Sequence, residues 1–266
     1  MIRSITISSG VTLQYAERGG ALGIPVVFLH GVTDSWRSFE PVLDRLPGTI
    51  RAFAITQRGH GNSSKPAQGY SYGDMAEDLR AFMDAIEVTA AVVVGHSMGS
   101  MVAQRFAIDH PGRVAGLVLM GAFRTIHGHP GLQEFWDTAV SRLTDPIDPA
   151  FVRDFQVSTL ARGVPPEFLN TVVSESLQVP ARVCRAAFKE FLETPDFSHG
   201  LAQFAGPALV VWGDRDAYAH REDQEALRGV IADSRLVTYA GVGHALHWDE
   251  PDRFAADLVA FVYERR

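Results

Sequence analysis

The sequence predicts an α/β protein with a mainly parallel eight-stranded sheet and helices on both of its faces. Short apolar runs alternate with amphipathic stretches along most of the chain, a pattern typical of parallel sheets covered on both sides. A serine between two glycines lies where one apolar run meets a helical stretch. Residues 122–206 break the alternation, because helical stretches there follow one another without an intervening strand.

Eight runs are expected to be strands because they are rich in apolar and β-branched residues and are bounded by turn-forming residues. Several of them are apolar at nearly every position, as expected for strands buried on both faces of a sheet. They are residues 2–8, 11–17, 25–29, 50–55, 91–94, 114–119, 208–212 and 235–239.

The helices between the strands are predicted from apolar residues that recur every three or four positions. Ser71 is a candidate N-cap for an amphipathic helix over residues 71–86. Asp34 and Ser35 are candidate caps for a helix over residues 36–46. The apolar stripes of these helices and of the last helix are expected to face the core.

Length, charge and cysteine content exclude several classes of protein. At 266 residues the chain can form one large α/β domain, and its net charge of −7 offers no basic face for nucleic acid. No apolar run approaches the ~20 residues that span a bilayer, and residues 1–7 alternate like a strand rather than a signal peptide. The single cysteine, Cys184, permits no internal disulfide and fits a reducing compartment, so we expect a cytoplasmic protein.

The turn at Ser97 is the strongest chemical signal in the chain. Residues 92–94 form an apolar run, Gly95 and Gly99 flank the serine, and an amphipathic stretch follows. A serine held on such a strand-to-helix turn has its hydroxyl pushed out above the sheet, where a base and a carbonyl group can reach it. The alternative explanation is a glycine-rich helix start with an N-capping serine.

A base and an acid that could activate Ser97 follow later in the chain. A serine hydroxyl becomes a nucleophile beside a base that is itself oriented by a carboxylate. Asp214 and Asp216 follow the seventh predicted strand, and His244 follows the eighth. These positions lie past the carboxyl ends of strands, the edge of an α/β sheet where ligands bind. Either aspartate could be the acid, and His247 competes with His244, although its place near the next helix favours packing or capping.

Five motifs occur in the order found in the α/β-hydrolase fold family, which the chain resembles over nearly its whole length. They are residues 29–32 (LHGV), 58–63 (RGHGNS), 95–99 (GHSMG), 213–216 (GDRD) and 243–244 with 249–251. The resemblance implies that Ser97 is the nucleophile and His244 the base, and the family's spacing favours Asp216 as the acid. It also implies an oxyanion hole formed by the backbone amides of Val32 and Met98.

The chain departs from the family at Gln57, where relatives commonly carry an aspartate. That aspartate is usually a structural partner of the turn, so the chemistry is expected to stay intact while Arg58 loses a candidate ion pair. His30 and His60 lie in turns and are expected to form structural hydrogen bonds. His96 lies one position before the nucleophile, and its side chain is expected to point away from that residue.

Residues 122–206 resemble the helical cap that family members insert over the active site, which leaves 1–121 and 207–266 as the hydrolase core. A cap excludes water and shapes the pocket, so specificity is expected to depend on it. Its aromatic residues are candidates for lining the pocket or packing on the core: Phe123, Phe135, Trp136, Phe151, Phe155 and Phe188. His127 and His129 lack a third ligand at suitable spacing, so no metal is expected.

These observations predict a serine hydrolase without metal or cofactor that cleaves small to medium apolar esters or lactones through an acyl-enzyme. The same triad can serve carbon–carbon bond hydrolysis or cofactor-free perhydrolysis, and some relatives are slow-turnover receptors for small ligands. Pocket shape, rather than the fold, decides among these functions. The expected partner is a small-molecule substrate, without nucleic acid or membrane, and the expected state is a monomer or homodimer.

Overall fold

The computed structural model describes residues 1–125, 127 and 129–264. The strands are β1 (Ile2–Thr6), β2 (Thr12–Arg18), β3 (Ile24–Leu29), β4 (Ile50–Ile55), β5 (Ala91–His96), β6 (Val114–Met120), β7 (Ala208–Gly213) and β8 (Ser234–Tyr239). They form one sheet in the order β1-β2-β4-β3-β5-β6-β7-β8. The first two pairs in this order are antiparallel and the others are parallel, which confirms the predicted fold class.

The helices cover both faces of this sheet. They are α1 (Glu40–Leu43), α2 (Tyr72–Ala85), α3 (Met98–Asp109), α4 (Pro130–Thr138), α5 (Pro149–Ser158), α6 (Pro166–Ser176), α7 (Ala181–Glu193), α8 (Ser198–Leu201), α9 (Arg221–Val230), α10 (Leu246–Asp249) and α11 (Pro251–Tyr263). Short 3₁₀ turns occupy Trp36–Phe39, Pro111–Arg113 and Val140–Arg142. Within the described residues, no helix is both long and apolar enough to cross a membrane.

Two apolar clusters hold the helices to the sheet, one on each face. Along β3, Val27 and Leu29 belong to the cluster that includes residues of α2 and α3. Val26 and Phe28 belong to the opposite cluster, which includes residues of α11. Successive strand residues point to opposite faces, so a strand covered on both sides must be apolar at every position.

The helix predicted over residues 71–86 is confirmed as α2, and the one over 36–46 is wrong in its form. Ser71 and Asp74 form a capping box, each side chain bonding the other's backbone N–H. Residues 36–39 instead form a 3₁₀ turn before the short α1. Proline at position 41 lacks the N–H that would bond four residues back, so α-helical bonding cannot run through this point.

The helices α4 to α8 lie between the end of β6 and the start of β7. Most of their apolar side chains belong to the same cluster as the core residues under α2 and α3, whereas Phe168 and Val172 of α6 pack with Trp248 in a smaller cluster. The assignment of residues 122–206 to a separate cap stays a prediction. These helices follow the carboxyl end of β6, at the edge of the sheet that carries the site described next.

Candidate active site

Ser97 occupies the junction of β5 and α3 in a strained backbone conformation. Its φ of 52° and ψ of −117° lie where residues with side chains rarely occur. A Cβ atom at Gly95 would lie 2.3 Å from the Gly99 carbonyl oxygen, and one at Gly99 would lie 2.1 Å from that of Leu29. The glycines are therefore needed for close backbone packing. The Ser97 side chain makes no capping bond, so the alternative of an N-capping serine does not hold.

His244 is oriented by Asp216. Its Nδ1 lies 2.8 Å from Asp216 Oδ2, and Oδ1 of the same carboxylate accepts the N–H groups of Tyr218 and Ala219 at 2.8 and 2.9 Å. The Asp216 side chain is completely buried. Because the carboxylate is the acceptor, Nδ1 carries the proton of a neutral ring, and Nε2 is left as the basic nitrogen.

The competing acid, Asp214, does not contact His244. It is exposed, and its Oδ1 accepts the Gly241 N–H at 2.6 Å. Gly121, directly after β6, packs against the catalytic pair: a Cβ there would lie 3.0 Å from His244 Nδ1 and 3.3 Å from Asp216 Oδ2. The structure therefore brings Asp216 to the histidine, and the space beside the pair requires glycine at position 121.

Ser97 and His244 line the same cavity. Among the described residues, the two side chains are not hydrogen-bonded to each other, and no protein group occupies His244 Nε2. Catalytic hydrogen bonds in unliganded sites are often long and tighten when substrate binds. The serine hydroxyl and the basic nitrogen are thus both available to a ligand in this cavity.

Two backbone N–H groups beside Ser97 have no acceptor within the described part of the chain. They belong to Val32, in the loop after β3, and to Met98, the first residue of α3. The first N–H groups of a helix have no intrahelical acceptor and carry the positive end of its dipole. Val32 and Ser97 both line the cavity, so an oxygen that becomes negative there could accept from these two donors.

A buried hydrogen-bond network fixes the loop that carries Val32. His30 Nε2 accepts the Gln57 N–H at 3.0 Å, so the proton of the neutral ring lies on Nδ1, which donates to the Gly31 carbonyl at 2.7 Å. The Gln57 side-chain amide donates to the His30 carbonyl at 2.9 Å. Gln57, the departure from the family pattern, therefore holds the loop through uncharged hydrogen bonds.

Arg58 finds a different charged partner from the one expected in the family. It donates to both carboxylate oxygens of Asp78 in α2 at 2.5 Å, and to the Gly69 carbonyl at 2.6 Å. The two charged side chains are only 9% and 7% exposed. The turn after β4 is thus tied to α2 by a buried ion pair.

Burial keeps four histidines near the site neutral at neutral pH. It lowers the pKa of His30 and His96 well below 6.5, that of His60 to about 4 and that of His247 to about 3. His247 bonds Ser38 Oγ through Nε2 at 2.9 Å, as a packing residue should. A site rich in histidine therefore carries no positive charge from these four rings.

His96 was expected to point away from the nucleophile, and that expectation is wrong. Its side chain lines the cavity, and its ring centroid lies 4.9 Å from that of His244. Its Nε2 is 3.1 Å from the His244 carbonyl oxygen, so Nε2 donates, and Nδ1 is an acceptor without a partner in the described part of the chain. His96 is the last residue of β5, so the alternation of the strand places its side chain on the same face as those of Val92 and Val94.

The cavity above Ser97 contains about 600 Å³ of space, part of which is open to solvent, and has a mostly apolar wall. Of the six aromatic candidates, Phe123, Phe155 and Phe188 line it. Phe135 and Phe151 line a second cavity of about 350 Å³, whose wall also includes Phe155 and Phe188. Trp136 lines neither cavity. The remaining wall residues, from the helices between β6 and β7 and from later loops, are Leu132, Gln156, Thr159, Phe191, Leu192, Tyr218 and Trp248.

Asp34 and Gln156 are polar residues of the cavity whose place there was missed by the sequence analysis. Asp34 was considered only as a helix cap, yet it is 3% exposed and lines the cavity. Its Oδ1 accepts from Gln156 Nε2 at 3.0 Å and its Oδ2 from Ser38 Oγ at 3.3 Å. Gln156 lies in α5 among helices whose sequence shows only apolar periodicity. The sequence signal for Asp34 was its position two residues after Val32, whose backbone amide was predicted to bind the oxyanion.

Contacts within the protein account for His129, a candidate metal ligand, and for Cys184, the single thiol. His129 Nδ1 accepts the Leu132 N–H at 3.3 Å, and its ring packs 4.9 Å from that of His220. Among the described residues, no group of three side chains is placed to hold a metal ion. Cys184 is buried, and burial raises the pKa of its thiol to about 12.

Residues 24–251 match the family described as alpha/beta hydrolase fold, and the chain belongs to this family. The non-heme chloroperoxidase of Streptomyces lividans is 30% identical over 281 residues, covering 97% of this chain and 99% of the relative. An esterase from Exiguobacterium antarcticum has a similar structure, with a TM-score of 0.89, 26% identity and coverage of 99% and 100% of the two chains. The esterase RhEst1 from Rhodococcus sp. ECU1013 has a TM-score of 0.85, 27% identity and coverage of 100% and 99%. These relatives support hydrolase activity as the general class.

Proposed function

We propose that the protein is a serine hydrolase that cleaves carboxylic esters or lactones of small to medium apolar substrates. The main support is that Ser97, on its strained turn, lines the same cavity as His244, which is hydrogen-bonded to the buried carboxylate of Asp216. Esterases with similar structures support the same reaction. The aromatic wall favours an apolar, uncharged substrate, because desolvating a charge there without a partner is unfavourable.

The proposed reaction proceeds through an acyl-enzyme. The Ser97 oxygen attacks the acyl carbon while His244 Nε2 takes its proton, and Asp216 stabilises the charged imidazole. The N–H groups of Val32 and Met98 stabilise the oxyanion, and the loss of one such donor typically lowers turnover by about 10²–10³-fold. His244 then protonates the leaving alcohol. Water repeats the sequence on the acyl-enzyme and releases the carboxylic acid.

Esters of p-nitrophenol with increasing acyl length test this proposal, together with labelling by a fluorophosphonate. We expect label on Ser97 and no label on Ser97→Ala. Asp216→Asn should lose about 10³–10⁴-fold in kcat/KM, because the histidine loses its orienting carboxylate. The matched variant Asp214→Asn should stay within about twofold, since surface changes away from such features have small effects. Failure of every ester together with an unlabelled Ser97 would contradict the assignment.

Cofactor-free perhydrolysis is a second candidate, and the full-length similarity to a non-heme chloroperoxidase favours it. In this reaction hydrogen peroxide replaces water on the acyl-enzyme, which releases a peracid and the free serine. The ratio of peracid to acid formed from one ester in excess peroxide measures the preference. The other expectations from the sequence stay predictions. They are carbon–carbon bond hydrolysis or a slow receptor function as alternative activities, a cytoplasmic location, and a monomeric or homodimeric state.

A further inference from the structure

Asp34 is an acidic side chain inside an otherwise apolar substrate cavity, and the reaction proposed above does not use it. It lies in the loop after β3, two residues beyond Val32. Its carboxyl oxygens accept one bond each, from the amide of Gln156 and the hydroxyl of Ser38. A carboxylate can accept about four hydrogen bonds, so acceptor capacity is left over. Both present donors are uncharged.

No cation neutralises Asp34 among the described residues. The titratable groups that face it are His244 across the cavity, His96 beside Gly31, and His247 behind Ser38. His96 Nδ1, an acceptor without a partner among the described residues, lies near the Asp34 carboxyl. A Cβ atom built at Gly31 would be 3.0 Å from this nitrogen and 3.2 Å from Asp34 Oδ2. The polar corner of the cavity therefore presents acceptors and negative charge, and no lysine or arginine of the described residues forms an ion pair with Asp34.

Gln156 holds this arrangement in place from the inserted helices. Its side-chain nitrogen also lies 3.2 Å from Thr33 Oγ1 and 2.9 Å from Ser176 Oγ. Helix α5 is thus connected through one buried amide to α6 and to the loop that carries Val32. Because the amide is fixed by several acceptors, Asp34 cannot easily turn away from the cavity when a substrate enters.

We propose that Asp34 is a specificity-determining residue that excludes substrates carrying a negative charge and favours those with uncharged or hydrogen-bond-donating groups. The inference rests on the proposed esterase function and names the substrate class of the same site. A substrate carboxylate in this cavity would meet a like charge in a poorly hydrated space, where Coulomb repulsion over several ångströms amounts to about 10- to 100-fold in binding. A hydroxyl or amide N–H could instead donate to the free acceptor positions.

Two esters of equal length test the proposal: mono-(p-nitrophenyl) glutarate, which is anionic, and its methyl ester, which is neutral. The quantity measured is the charge ratio, kcat/KM for the neutral ester divided by kcat/KM for the anionic one. We expect a ratio of at least about 10 for the parent near pH 8.5, and a fall of about tenfold in Asp34→Asn. The ratio cancels any effect of the variant on chemistry common to both esters.

Asp214→Asn is the matched control, because it removes the same unit of charge outside the cavity. Solvent screens an exposed charge, so its charge ratio should stay within about twofold of the parent. A folded Asp34→Asn with an unchanged ratio would overturn the proposal. If that variant does not fold, the parent alone decides at about pH 8.5, where a charge ratio near 1 refutes the role. The ratio should also drop toward about pH 6 as Asp34 takes up a proton.

This experiment distinguishes a failure of the charge selection by Asp34 from a failure of the proposed esterase function. If the parent hydrolyses the neutral ester and the ratio does not respond to Asp34, only the charge selection is wrong. If the parent hydrolyses neither ester nor any other in the acyl-length series, the proposed function fails, and the selection fails with it.

Discussion

Removal of the Asp34 carboxyl should make the protein's stability less sensitive to a rise in pH from about 4 to 7. Burial raises the pKa of Asp34 from its ordinary 3.8 to about 7, against the smaller opposing effects of its bonds from Gln156 and Ser38. The folded protein therefore holds a proton that the unfolded chain releases. Between these two values the folded state binds more protons, so its stability falls as the pH rises, and the loss is complete above about pH 7.

The size of this effect follows from the shift. A difference of about three pKa units corresponds to about 4 kcal/mol over the full range, of which about 2 to 3 kcal/mol falls between about pH 5 and pH 8. Asp34→Asn keeps the shape of the side chain without the ionisable proton. The free energy of unfolding of the variant relative to the parent should therefore rise by this amount across the interval.

The comparison must be made between variant and parent because buried histidines act in the opposite direction. The pKa values of His30, His60, His96 and His247 are lowered in the folded state, so the stability due to each is present above about pH 6.5 and is lost as the pH falls. Their contribution partly masks that of Asp34 in the parent. It cancels in the difference.

Urea unfolding followed by circular dichroism at several pH values between about 5 and 8 provides the measurement. The two proteins' curves of unfolding free energy against pH should diverge, with the variant gaining toward high pH. Parallel curves would show that Asp34 is ionised in the folded protein at about pH 5 and has no raised pKa. That result would also remove the expectation that charge selection weakens at acidic pH.

Two further predictions concern the scaffold of the site. Asp78→Asn should destabilise the fold by about 3 to 5 kcal/mol in urea unfolding, because it leaves the buried Arg58 guanidinium without its carboxylate, and a loss below about 1 kcal/mol would contradict a buried pair. Gly99→Ala should abolish ester hydrolysis or soluble expression, since its methyl group would lie 2.1 Å from the Leu29 carbonyl oxygen. Gly112→Ala is the control, because a Cβ there meets nothing within 4 Å; equal loss in both variants would refute the packing argument.

The sheet and the turn at Ser97 could be predicted from the sequence because they depend on local patterns. Buried strands need apolar residues on both faces, and a close strand-to-helix turn needs glycines at fixed positions. All eight strands begin and end within two residues of the predicted bounds. The exception among the helices was residues 36–46, where the apolar spacing was correct but a proline prevented continuous α-helical bonding.

The polar side of the cavity could not be predicted because its residues come together only in the tertiary structure. The sequence does not show that the end of β5, which carries His96, lies beside the loop of His244. Gln156 lies in a helix with an apolar stripe, and no local pattern marks its amide as a bridge to Asp34. The residue pattern alone left Asp214 and Asp216 open as the acid, and it was the family's spacing that favoured Asp216, which the structure places against His244.

Asp216 and Asp34 show how surroundings separate the roles of two buried carboxyls in one site. Asp216 receives two backbone N–H groups and the His244 ring, and these donors stabilise its negative charge while holding it in one orientation. Asp34 receives one amide and one hydroxyl, which stabilise a charge less than charged donors would. Its proton can therefore be lost or kept near neutral pH. A carboxylate held in one orientation suits the acid that supports the catalytic histidine, whereas a carboxyl whose charge depends on pH suits a group that discriminates between substrates.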